Sequence, residues 1–113
     1  MSTRHTDFET FHVDVLENDS PTVVAFSAIW CAPCRVLDGQ LQLLAVDHPE
    51  LDVLVVDVDE NEMLAERYEV RTVPTVMLFR DGAVEQVMTG PMTKRLLEIG
   101  LGLGPPLATE SGL

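Results

Sequence analysis

Thr22-Val23-Val24-Ala25-Phe26-Ser27-Ala28-Ile29-Trp30-Cys31-Ala32-Pro33-Cys34 is a short apolar run that ends on two cysteines three residues apart. Residues 22–28, opened by Ser20-Pro21, read as a buried strand. A helix follows the cysteines. Its buried stripe is Leu37, Leu41, Leu44 and Ala45, and His48-Pro49 ends it. Cys31 is therefore expected at the junction of a strand and a helix N-terminus, where unsatisfied amides favour a thiolate. Cys34 falls one turn further in and is expected to be the less exposed of the two. On this reading Cys31 is the nucleophile and Cys34 the resolving thiol. Pro33 fixes a backbone φ and helps to hold the two sulfurs close. The chemistry that follows is exchange: Cys31 attacks a partner disulfide, and Cys34 then releases the reduced partner.

The rest of the chain frames that segment. Thr6 or Asp7 can cap a first helix running to about Asn18, with Phe8, Phe11, Val15 and Leu16 on one face. Residues 53–58 form a second apolar run and read as another buried strand. Asp59, Glu60 or Asn61 can start a third helix, with Leu64, Ala65 and Tyr68 facing inward. Residues 75–79 are a third apolar run. Asp81-Gly82 is a strong hairpin signal, and residues 83–89 return as an edge strand. Thr93 opens a last short helix through Leu96, Leu97 and Leu101. Gly39 costs the second helix about 1 kcal/mol relative to alanine and invites a bend. Buried parallel strands joined by helices and closed by a hairpin predict a three-layer α/β domain with a central mixed sheet of four to five strands. Residues 1–103 are expected to form one domain. Residues 104–113, with Pro105-Pro106, are expected to be a flexible tail.

Composition narrows the function. The 113 residues suit one modest core, and with aromatics at 5% that core must be mostly aliphatic. The net charge of −12 repels phosphates and anionic lipid, which argues against nucleic acid and membrane partners. Asp47, Glu50, Asp52, Asp57, Asp59, Glu60, Glu62, Glu66 and Glu69 crowd the middle of the chain, against Arg67 and Arg71. That run fits a solvated face, a surface that selects basic partners, or a salty cytoplasm. The first residues carry no apolar signal region and no run is long enough to span a bilayer, so a soluble cytoplasmic protein is expected. A zinc site would need more ligands than the cysteine pair. Only His5, His12 and His48 are available, none at a matching spacing, so no metal is expected. A purely structural disulfide would close so small a loop that it constrains the unfolded chain little.

Trp30-Cys31-Ala32-Pro33-Cys34-Arg35 resembles the W-C-G-P-C-K motif of the thioredoxin family, with alanine for glycine. Arg71-Thr72-Val73-Pro74-Thr75 resembles the family's R-x-I-P-T, and Asp81-Gly82 and Gly90 follow at the family's spacing. The resemblance covers about residues 7–101. It implies the thioredoxin fold, with a cis bond before Pro74 packed beside the cysteines. It implies that Val73 and Pro74 pair with a bound substrate strand, and that Gly90, Trp30, Ala32 and Pro33 complete a small apolar docking surface. It also implies protein disulfides as substrates and a redox-active Cys31–Cys34 disulfide with no bound cofactor. Electrons would come from NADPH through a flavin-dependent thioredoxin reductase, or from a ferredoxin-linked one. A monomer is expected.

The match has departures. The family's V-D-F-W-A becomes Val24-Ala25-Phe26-Ser27-Ala28, so Ala25 replaces a buried aspartate and Ser27 a tryptophan. Val55 stands where the family has a lysine. Losing both halves of a buried ion pair together is physically coherent, because losing one strands the other charge. In the family that aspartate helps to move the resolving thiol's proton. Cys34 lacks it, so resolution is expected to be slow unless water or another carboxylate substitutes, Asp57 and Asp59 being candidates. Residues 1–6 are polar, so the family's opening strand is expected to be short or missing. The leading function is a protein-disulfide reductase. The alternatives are a disulfide oxidase or isomerase, since Ala-Pro between the cysteines is ambiguous, and a binding module that uses the fold as a scaffold. The intact cysteine pair speaks against the scaffold.

Overall fold

The computed structural model describes residues 3–104. Strand β2 (Thr22–Ser27) is the spine of the sheet, with Thr22 to Phe26 all buried. On one side it pairs in parallel with β3 (Asp52–Asp57), Ala25 opposite Val55. On the other it pairs antiparallel with β4 (Thr75–Arg80), Ala25 opposite Val76. Strand β1 (Arg4–His5) adds two residues beside β3, and β5 (Ala83–Thr89) closes the other edge by a hairpin from β4. The order is β1-β3-β2-β4-β5, a mixed five-stranded sheet. Strands β2, β3 and β4 read as unbroken apolar runs because both of their faces are covered.

Alternate residues of those strands feed two separate cores. Val23, Ala25, Val53, Val76 and Leu78 face helix α1 (Ala32–Asp47) and helix α3 (Lys94–Gly100), meeting Leu37, Leu41, Leu44, Leu97 and Leu101. Val24, Phe26, Leu54, Val56, Met77 and Phe79 face the opposite layer, meeting Phe11, Val15 and, from helix α2 (Glu62–Arg67), Leu64. Three layers result. The few aromatics concentrate in the second core, where Phe79 meets Phe11 and Tyr68 edge-on at 5.8 and 5.4 Å between ring centres. The first core is almost wholly aliphatic, as the composition requires.

The hairpin turns on Asp81 (φ 54°) and Gly82 (φ 81°), both in the left-handed region. Paired positive φ values match the right-handed twist of the strands it joins. A Cβ on Gly82 would also lie 2.8 Å from the Leu16 carbonyl oxygen, so this position excludes larger residues.

Two expectations change. The first helix does not run from Thr6 or Asp7 to Asn18. Asp7 does cap a turn, accepting from the amides of Glu9 and Thr10, but the helical segment is only His12–Leu16, closed by an i to i+5 bond from Glu17 to His12. Phe8 sits in the turn before that segment, 45% exposed with its amide held by Asn61 Oδ1 at 2.9 Å, so it is not a core residue. Helix α1 includes Gly39 in one continuous span, Ala32–Asp47. The expected tail lies, beyond residue 104, outside the described residues.

Candidate active site

Cys31 leaves the end of β2 through a tight turn, its amide donating to the Ala28 carbonyl at 3.1 Å. It is the N-cap of the 16-residue helix α1, with Ala32 and Pro33 as the first two helical residues. Proline is tolerated there because its missing N–H would have no helical partner. The Cys31 Sγ accepts the amide of Cys34 at 3.2 Å. A sulfur at this position receives both a direct N–H and the positive end of the helix dipole, which stabilise negative charge on it. Cys31 and Cys34 are joined as a disulfide with 5.3 Å between their Cα atoms. Closure of that bond at CxxC spacing gives the pair an oxidised and a reduced form, as thiol exchange requires.

Burial does not separate the two cysteines. Cys31 is 4% exposed and Cys34 5%, so the expectation that Cys34 is the less exposed fails. Both sulfurs pack under the loop with Ala28, Val58 and Val73. The difference between them is one of place. Cys31 holds the helix cap, and Cys34 lines a cleft behind it.

The other residues singled out in the sequence converge on the same end of the sheet. The Val73–Pro74 bond is cis, and the Val73 carbonyl oxygen lies 3.9 Å from Cys31 Sγ. Pro74 is buried and Val73 half-buried. Gly90, at φ 87°, donates its amide to the Pro74 carbonyl at 2.9 Å, which ties it to this loop. Ala32 and Pro33 are exposed beside Cys31. Trp30 is 67% exposed, so it is not a packing residue. Its indole N–H donates to Asp59 Oδ2 at 2.7 Å, and its ring borders a cleft of about 230 Å³ with Val58, Val70, Arg71, Thr72 and Val73.

Several residues here carry structure that the sequence did not single out. Arg35 donates from its guanidinium to the Ile29 carbonyl at 2.9 Å and holds the loop before Cys31. A second cleft, of about 430 Å³, opens on Cys34 between β1, β2, β3 and α1, bordered by Ser27, Asp38 and Asp57 among others. The i, i+4 spacing of Cys34 and Asp38 was the available signal for that pairing. Asp57 and Asp59 divide. Asp57 Oδ1 accepts the amides of Asp59 and Glu60 at 2.9 and 3.3 Å, and its residue borders the Cys34 cleft. Asp59 is engaged with Trp30. The expected loss of the ion pair has a clear local form: Ala25, 2% exposed, and Val55, 8% exposed, are cross-strand neighbours, and apolar side chains fill both positions.

The histidines are placed apart. His12 is exposed beside Glu17, and His48 is buried just past the C-terminus of α1, about 24 Å from its start at 1.5 Å per residue. Among the described residues no three potential metal ligands cluster.

Comparison with known proteins agrees with this geometry. Residues 2–101 match the family model described as Thioredoxin. The chain is 39% identical over 89 residues to a thioredoxin of Pseudomonas aeruginosa, covering 78% of this chain and 82% of that one. It is 36% identical over 98 residues to a thioredoxin of Rickettsia bellii, covering 86% and 92%. It is 38% identical over 89 residues to one from Rhodospirillum rubrum, covering 78% and 86%.

Proposed function

This chain belongs to the thioredoxin family, and from that membership we propose how its two cysteines divide the work. The protein is a thiol–disulfide oxidoreductase that reduces protein disulfides. Cys31 is the nucleophile and Cys34 the resolving thiol. The observation that carries this assignment is the cap: Cys31 Sγ accepts the Cys34 amide at the head of a 16-residue helix. The Cys31 thiolate attacks one sulfur of the substrate disulfide and the other sulfur leaves as a thiolate. Cys34 then attacks Cys31, forming the intramolecular disulfide and releasing the second substrate thiolate. Two electrons pass to the substrate.

The docking surface is Trp30, Ala32, Pro33, Val73, Pro74 and Gly90. Support comes from the exposure of Trp30 beside an open cleft and from the contact of the Val73 carbonyl with Cys31. A substrate strand laid against Val73 would bring its disulfide over Cys31. The protein works without a bound cofactor. The Cys31–Cys34 disulfide is recharged by a thioredoxin reductase that draws on NADPH. The protein acts as a monomer in the cytoplasm, a compartment where such an electron supply keeps thiols reduced. No described helix is long and apolar enough to cross a membrane.

The reduction potential tests the direction of transfer. Equilibration of the Cys31–Cys34 pair against glutathione or dithiothreitol is expected to give about −270 mV, the range of reductases. A value near about −120 mV would assign the protein to disulfide donation instead.

A further inference from the structure

We propose that Asp38 is the proton acceptor for Cys34 in the resolving step. The inference rests on the assignment of Cys34 as the resolving thiol. That thiol must become a thiolate before it can attack, and burial disfavours the charged form of any thiol. Cys34 is 5% exposed, and the paired strand positions Ala25 and Val55 beneath it are apolar. A base has to come from elsewhere.

Two spaces touch Cys34. The outer one is the cleft of about 430 Å³. The inner one, of about 10 Å³, lies against Ala25, Leu41, Val55 and Pro74. That volume is close to what a single water needs. Four ionisable side chains besides Cys34 face the outer cleft: His5 from β1, Asp57 from β3, and Arg35 and Asp38 from α1. Of these, only Asp38 also lines the inner space. Asp57 is held by the amides of Asp59 and Glu60, and Arg35 is held by the Ile29 carbonyl. Asp38 follows Cys34 by one helical turn on the same face of α1. Side chains so placed have Cβ atoms about 5–6 Å apart, a span that one water can bridge for proton transfer. Helix α1 thus supplies the carboxylate that β2 lacks.

The Asp38 carboxylate takes the proton of the Cys34 thiol. The resulting thiolate attacks Cys31 Sγ in the mixed disulfide, forming the Cys31–Cys34 bond and breaking the bond from Cys31 to the substrate. The substrate sulfur leaves with the electron pair, and the proton held by Asp38 returns to it or to solvent. The dithiol is oxidised by two electrons and the substrate disulfide is reduced by two.

The test uses the full reduced chain and insulin as the disulfide probe. Reactions are quenched in acid, and the mixed disulfide is counted by mass spectrometry over time from pH 6 to pH 9. Asp38→Asn is expected to accumulate mixed disulfide and to resolve it about tenfold more slowly at pH 7. The deficit should shrink toward pH 9, where hydroxide takes the thiol proton, and Asp38→Glu should restore most of the rate. In a Cys34→Ser background, which isolates the first attack, Asp38→Asn should change nothing. An unchanged resolving rate in Asp38→Asn, a deficit that is the same at every pH, or a loss that falls on the first attack would overturn the role of Asp38. So would a deficit that follows Asp57→Asn and spares Asp38→Asn. If the Cys34→Ser chain forms no mixed disulfide at all, the division of labour between the cysteines is wrong, and the role of Asp38 falls with it.

Discussion

Cys31→Ser is expected to abolish protein-disulfide reduction, lowering the insulin-reduction rate on the order of 10³-fold or more, to the background of dithiothreitol alone. The attacking group in exchange is a thiolate, and a serine hydroxyl is not ionised at any working pH. The geometry gives the loss to this one atom. Cys31 Sγ caps helix α1 and accepts the Cys34 amide, so the field that favours charge acts on it. The fold should not suffer. Serine is itself a favoured N-cap and its oxygen can accept the same amide. Unfolding of Cys31→Ser should therefore match that of the reduced wild type, which separates lost chemistry from lost structure. Retention of more than background activity would contradict the assignment of Cys31 as nucleophile.

His48→Ala is expected to destabilise the protein by about 3 kcal/mol at pH 7 without changing the chemistry of the folded molecules. His48 is 1% exposed and joins the end of α1 to α3. Its Nε2 lies 2.8 Å from Glu98 Oε2 and its Nδ1 lies 3.3 Å from Glu50 Oε2. Glu98 is itself buried, and its other partner, Lys94, is 3.6 Å away and also paired with Asp47. Alanine would leave a cavity and a buried carboxylate with one distant partner. The Asp47 carboxylate holds the Lys94 ammonium above its usual range, with Glu98 adding to this against the opposing effect of burial. A raised lysine value stabilises the fold fully below the ordinary value of 10.5 and fades as pH climbs through the raised one. At pH 7 that part of the network is therefore intact, and the measured loss belongs to His48. Urea unfolding gives the number. A loss below about 1 kcal/mol would show that the buried pair contributes little, as exposed pairs do.

These two positions differ in how readable they were. The Cys31 site was legible because its chemistry is local: strand, turn, cap and nucleophile follow one another within ten residues. The three inner strands were legible because burial on both faces makes them continuous apolar runs, and Asp81-Gly82 because its turn demands positive φ. His48 read only as a helix stop. Its partner Glu98 is fifty residues away, and nothing local to either residue announces the pair. Phe8 fits the spacing of a helix face, but it lies in a turn before the helical segment, and its amide bonds Asn61 across the fold. The order of strands was equally out of reach, since β1 finds β3 across the whole first half of the fold. Asp38 is hidden in the sequence for a different reason. Its spacing from Cys34 was visible, but only the packing of α1 over Ala25 and Val55 turns that spacing into a shared cleft.

A Cys34→Ser chain tests most directly whether Cys31 attacks first and Cys34 resolves. Reduced Cys34→Ser mixed with oxidised insulin should yield a stable covalent adduct, which peptide mapping places on Cys31 and dithiothreitol releases. The wild type under the same conditions should show only a transient adduct and end as the Cys31–Cys34 disulfide. Absence of an adduct on Cys34→Ser, paired with a stable one at Cys34 in Cys31→Ser, would reverse the roles and contradict the account.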